Sequence, residues 1–189
     1  MHTFGLRHAL LLIAALTAVA LIPRHTTTTR QYDDVGCGAV RDLPADRAPA
    51  QVNAAIVCLL NYERRRHGLR PLVRVPVLDV ASKRKSDDMV ARRYFAHVSP
   101  DGVTPSAVVA AAGYVVRPGG TTGENLAWGE GDAGTAASIV DGWMHSPGHR
   151  ANILRPEFSQ IGVGLTLGDP PTRRPTRQPS ATYTTEFGG

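Results

Sequence analysis

The feature that most limits how this chain can fold is the uninterrupted apolar run ALLLIAALTAVALI at residues 9–22, preceded by Arg7 and two histidines. As a helix, fourteen residues rise about 21 Å, short of the roughly 30 Å hydrocarbon core of a bilayer. Ala18-Val19-Ala20 supplies the small-x-small pattern that signal peptidase reads. The run is therefore expected to be an export signal, residues 1–20, cleaved after Ala20; an uncleaved membrane anchor is the alternative. Cys37 follows Asp34-Val35-Gly36 and not a small-residue lipobox, so lipidation is not expected there. Cleavage removes Arg7 and no acid, which leaves a formal charge of +4 from the +5 of the whole chain.

Export sets the redox conditions. Cys37 and Cys58 are the two cysteines of the chain, and in an oxidising space they are expected to pair. A bridge closing about 20 residues stabilises by roughly 3 kcal/mol in the chain-entropy model. Two cysteines are too few for a disulfide-built miniprotein or a four-thiolate zinc site. The fold must rest on an apolar core, and 42% apolar residues can build one.

Residues 21–50 carry Thr26 to Thr29 with scattered Pro and Arg and no hydrophobic period. They read as a linker, ordered at most near Cys37, ahead of a domain over residues 51–189. From Val52 the residues Val52, Ala55, Ile56, Leu59, Leu60 and Tyr62 fall on one side of a helix that stops near His67-Gly68. Arg64-Arg65-Arg66 then complements its C-terminal dipole. Leu78 to Tyr94 predicts a second helix. Thr104 as cap and Pro105 as first residue predict a third, halted at Gly113. A fourth is expected from Thr135 to Met144. Residues 113–129 carry short strand-like pieces, and strands are expected at 161–167 and 181–187 around an exposed loop rich in Pro, Arg and Thr. Four helices covering a small, mostly antiparallel sheet make an α+β fold.

Three clusters place a histidine or carboxylate beside turn-forming residues: residues 95–102 with His97, residues 123–127 with Glu124, and residues 143–154 with His145, Ser146 and His149. His145 and His149 have the spacing of two ligands on one helix face, but Pro147 between them removes that argument. The chain has no His-Glu-x-x-His run and no Gly-x-Ser-x-Gly elbow. Gly-rich residues 118–123 lack the Lys-Ser/Thr ending of a phosphate loop.

Taken in order, the clusters resemble the CAP superfamily, also called SCP domains, in its short bacterial exported branch. The resemblance covers residues 52–188. It rests on Asn61-Tyr62-Glu63-Arg64 with Gly68-Leu69-Arg70-Pro71-Leu72, on His97-Val98-Ser99-Pro100-Asp101-Gly102, and on Gly123-Glu124-Asn125. Ser146 to Leu154, Ile161-Gly162-Val163-Gly164 and Thr185-Glu186-Phe187-Gly188 complete it. It implies an α-β-α sandwich with a cleft in which His97, Glu124 and His149 face one another. Many relatives have a second acid three residues after the tryptophan matched here by Trp143; this chain has Ser146.

Two imidazoles and a carboxylate can hold a divalent metal such as zinc, which makes His97, His149 and Glu124 a candidate metal set. The leading expectation is a secreted domain that binds a small or lipid-like ligand. An extracellular metal-assisted hydrolase, with Glu124 as general base, and a module binding anionic cell-wall polymer are the alternatives. Whether the protein is an enzyme is left open. Nucleic-acid binding is not expected, because the arginines are scattered and no aromatic strip accompanies them. A monomer is the default. Intact mass of protein from culture supernatant should correspond to a chain beginning at Leu21 and lighter by the hydrogens of one disulfide; a mass that retains residues 1–20 would establish the anchor instead.

Overall fold

A computed structural model describes residues 29–170 and 177–189. The apolar leader lies outside them, as does part of the loop before the last strand. Five helices, α1 (Pro49–Arg66), α2 (Pro76–Ala91), α3 (Pro105–Ala111), α4 (Ala136–His145) and α5 (Pro147–Ile153), accompany four strands. These are β1 (Val73–Arg74), β2 (Thr122–Glu130), β3 (Gln160–Leu167) and β4 (Ser180–Gly188). The sheet runs β1-β3-β4-β2, antiparallel except for the short β1, which pairs in parallel with β3. The expected α+β class holds. Among the described residues no helix is long and apolar enough to cross a membrane.

The cap read from the sequence at Thr104 is in place, and α4 has one as well. Thr104 accepts a hydrogen bond from the Ala107 amide at 3.3 Å, and Thr135 does the same for Ser138 at 3.3 Å. Gly113 ends the turn after α3 with φ +96°. The fifth helix is additional to the four expected. Ser146 has extended backbone and Pro147 occupies the first helical position. A proline there costs no hydrogen bond, so it starts α5 at the point where it stops α4.

One face of the sheet carries the main core, in which α1 and α4 bury Val52, Ile56, Leu59, Leu60, Val140 and Trp143 against Ile161, Val163, Tyr183 and Phe187. The stretch before α1 belongs to that core. Tyr32 is fully buried edge-on to Tyr62, and the Ala137 amide donates to the Val40 carbonyl at 2.9 Å. The Cys37–Cys58 disulfide ties this strap to α1, as expected.

Arg64 departs from its expected place on the exposed last turn of α1. It is buried and donates to the carbonyls of Arg70, Ile153, Arg155 and Phe158 at 2.8–2.9 Å. One guanidinium thus joins α1 to the turn after it and to the α5–β3 connection.

The other face is covered by α2, with α3 beside it. A Cβ on Gly162 would lie 2.0 Å from the Leu78 carbonyl carbon, and one on Gly164 would lie 2.3 Å from the Lys83 nitrogen. The α2 backbone therefore rests directly on β3. Its inward side is largely polar: Ser82 accepts from the Glu186 amide at 3.2 Å, and Ser86 bonds Thr184 Oγ1 at 2.9 Å. Gly164→Ala is expected to lower unfolding free energy by about 1–3 kcal/mol through overpacking. Gly142→Ala, on α4 with nothing within 4 Å of the added Cβ, should raise it by up to about 1 kcal/mol; urea denaturation of both variants checks the contrast.

Candidate functional site

The site lies where the α2–α3 connection crosses the β2 edge of the sheet and meets α5. His97 sits on that connection. Its carbonyl accepts from Lys85 Nζ at 2.8 Å, and the same ammonium reaches the Tyr94 hydroxyl at 3.1 Å. Beyond it Ser99 closes a turn, its amide donating to the Val103 carbonyl at 3.0 Å with Gly102 at φ +85°. A positive φ there suits glycine.

Glu124 projects from β2 with its side chain 2% exposed, and its Oε1 accepts from His97 Nδ1 at 2.6 Å. The imidazole is 54% exposed. With Nδ1–H committed to the carboxylate, Nε2 is the nitrogen left to meet a ligand.

His149 stands on α5, which two asparagines fix against β2. Asn125 donates to the His149 carbonyl at 3.1 Å, and Asn152 donates to the Glu124 carbonyl at 3.1 Å and to Asn125 Oδ1 at 2.9 Å. Both asparagines thus hold backbone in place. Gly123 permits this approach, since a Cβ on it would lie 2.8 Å from the Phe158 ring.

At His149 opens a largely apolar groove of about 350 Å³, lined by Phe95, Leu126, Trp128, Ile139, Trp143 and His149 among others. Trp143 is a buried wall, its indole donating to the Leu126 carbonyl at 2.9 Å, whereas Trp128 is 37% exposed at the rim. Ser146 lines the groove, but no hydrogen bond joins it to His149 among the described residues. His145 points elsewhere and bonds the Asp141 carbonyl at 2.8 Å.

The two imidazoles are driven in opposite directions. The hydrogen bond to Glu124 raises the His97 pKa above the ordinary imidazole value, against a smaller desolvation effect. Burial lowers that of His149, and the charge of nearby His97 lowers it further. Near the pH of a free imidazole the pair therefore holds one imidazolium and one neutral ring.

A zinc ion held by His97, His149 and Glu124 together does not fit this arrangement. Glu124 is enclosed and commits Oε1 to His97, and among the described residues no group of three His, Cys, Asp or Glu is placed to hold a metal ion.

Two residues of this site were not singled out from the sequence. Lys85 is buried beneath the His97 connection, and Glu186 on β4 stands directly opposite Glu124 in register. Lys85 left a trace, being one of two lysines in a chain with 21 basic residues. Glu186 belongs to the string Thr185-Glu186-Phe187-Gly188, but an acid on the polar side of a strand ordinarily faces water, so the string alone does not mark it as a site residue.

The linkage signs follow from these shifts. The His97 contribution to stability is present below the free-imidazole pKa and is lost as pH rises through its raised folded value. The His149 contribution is present above that pKa and is lost as pH falls through its lowered one. A histidine NMR titration should give midpoints on either side of about 6.5, and Glu124→Gln should bring the upper one down while moving the lower one little.

Known proteins share this fold. Residues 57–172 match the cysteine-rich secretory protein family, CAP. The chain is 40% identical over 151 residues to YkwD of Bacillus subtilis (strain 168), an uncharacterized protein, covering 75% of this chain and 56% of that one. It is also 37% identical over 112 residues to the uncharacterized membrane protein YlbC of the same organism, 58% of this chain and 30% of the other, so it spans only part of each relative. In three dimensions it resembles an extracellular SCP-domain protein of Bacillus anthracis str. Ames with TM-score 0.56 and 26% identity, covering 75% and 43% of the two chains. A cysteine-rich secretory protein of Staphylococcus aureus shares the fold at 18% identity and TM-score 0.52, with 75% and 40% covered. The strings around His97, Glu124 and His149 fall within the matched span, and the chain belongs to the CAP (cysteine-rich secretory protein) family.

Proposed function

We propose that this domain works outside the cell as a binding module for an amphipathic ligand with an anionic head. The observation that carries the reading is the shared opening: His149 lines the same groove as Phe95, Leu126 and Trp128, close enough to His97 to feel its charge. The head meets His97, whose imidazolium is favoured by Glu124, and the apolar part lies along the rings of the groove. Such a division of labour, a concave apolar wall with few placed polar groups, is how small-molecule sites fix orientation. The extracellular setting is supported by the apolar leader, by the Cys37–Cys58 bridge and by the extracellular Bacillus anthracis protein of the same fold.

A fluorescence titration with 8-anilinonaphthalene-1-sulfonate, which joins an apolar ring system to a sulfonate, tests this. Binding should weaken about tenfold in Trp128→Ala, the loss of roughly 1.4 kcal/mol of ring contact. It should tighten as pH falls through the upper histidine midpoint, and His97→Ala should abolish that dependence. Added salt should weaken it only in part, through the single imidazolium contact, whereas adhesion to an anionic wall polymer would collapse. Zinc included in the same titration separates the metal reading, because an ion held at the two imidazoles would alter probe affinity in the wild type and not in a His97→Ala/His149→Ala double variant. A wild type that leaves the probe dark, or a Trp128→Ala variant that binds it equally, would rule the reading out.

A further inference from the structure

Behind the exposed imidazole lies a second layer of ionisable groups. Glu124 and Glu186 are directly paired across β2 and β4 and so present their side chains to the same face of the sheet, the one covered by α2. Both are buried, Glu186 completely. Glu124 Oε2 and both carboxyl oxygens of Glu186 are enclosed without a hydrogen-bond donor.

Two carboxylates cannot be left in this state. Each unsatisfied buried oxygen bears an uncompensated desolvation cost, greater when it is charged. Like charges this close also repel in a medium that screens poorly. The positive groups facing them from the neighbouring elements are Lys85 of α2 and His97 of the connection. The three protons of Lys85 serve the His97 carbonyl and the Tyr94 hydroxyl as well as the field of the acids, with Asp88 and Arg92 acting on the same ammonium. The His97 proton serves Glu124 Oε1, and neither it nor the Lys85 ammonium donates to Glu124 Oε2 or to either oxygen of Glu186. A single proton held between the acids turns one oxygen into a donor and gives another a partner.

Glu186 is the member of the pair that keeps the proton. It is the more deeply enclosed, and burial followed by the charge of Glu124 pushes its pKa well above the carboxylate range. Glu124, by contrast, holds His97 through Oε1.

We propose that Glu186 is the positioning acid of the His97 site: a neutral carboxyl on β4 that donates a hydrogen bond to Glu124 and thereby fixes the oxygen Glu124 turns to His97. The inference rests on the reading of the His97 cleft as the functional site. It gives the site a second acid, contributed by the last strand at the inner side of Glu124 and out of reach of any ligand.

The test compares the protein with Glu186→Gln and Glu186→Ala by NMR titration of His97, without any ligand. The amide of Gln reproduces a neutral side chain with a donor, so the His97 midpoint should stay where it is in the wild type. Alanine removes the donor, and the midpoint should fall towards that of a free imidazole. Infrared spectra at neutral pH should show the carbonyl stretch of a protonated carboxyl in the wild type and its loss in Glu186→Gln. A His97 midpoint that drops equally in Gln and Ala would mean an ionised Glu186 and overturn the proposal; so would an unmoved midpoint in a folded Ala variant, or a missing infrared band. If the Ala variant does not fold, the Gln variant and the infrared band decide. A wild type that fails to bind the sulfonate probe would sink the functional reading without touching these outcomes.

Discussion

The structure depends on how closely α2 lies on the sheet. Gly162 and Gly164 remove the side chains that would hold helix and strand apart, and the α2 backbone occupies their place. Across this narrow gap the seam is largely polar, carrying serines and threonines together with Lys85 and the paired Glu124 and Glu186. Polar groups in such a seam must find partners there. Lys85 does so by gripping the carbonyl of His97 and the Tyr94 hydroxyl. The position of the exposed imidazole is thus set from beneath, by packing that begins with two glycines.

The site is held on its other side by amides. Asn125 and Asn152 bond each other and the main chain of β2 and α5, and none of these bonds involves a charge. His97 and His149 therefore approach from separately anchored elements, one a connection resting on an ammonium, the other a short helix pinned by amides. Their different environments follow: one ring is backed by a carboxylate and exposed, the other is half-buried against apolar walls. Two chemically identical side chains acquire opposite proton preferences from the elements that carry them.

Much of this could be read from the residues before any coordinates. The cap at Thr104, the stop at Gly113, the Cys37–Cys58 pair and the ordered strings around His97, Glu124 and His149 are local signals, and local chemistry fixes what they do. The parts not legible depend on what lies across a gap. Pro147 reads as a breaker unless the chain turns at Ser146 to begin a new helix. Residues 31–48 show no period, yet Tyr32 is fully buried because α1 and its own Tyr62 supply the other half of a core. Glu186 looks like a solvated strand residue until α2 covers it. Arg64 sits in a run of three arginines and only its burial shows that it differs from the other two.

Arg64 also bears on the conditions in which the domain can work. All four acceptors of its guanidinium are backbone carbonyls. Carbonyls do not titrate, and a guanidinium keeps its proton even when burial lowers its affinity for it. The joint between α1, the following turn and the segment after α5 is therefore indifferent to acid, unlike one built on a carboxylate. A change of pH across the imidazole range acts on His97 and His149 while the four bonds of this joint stay as they are.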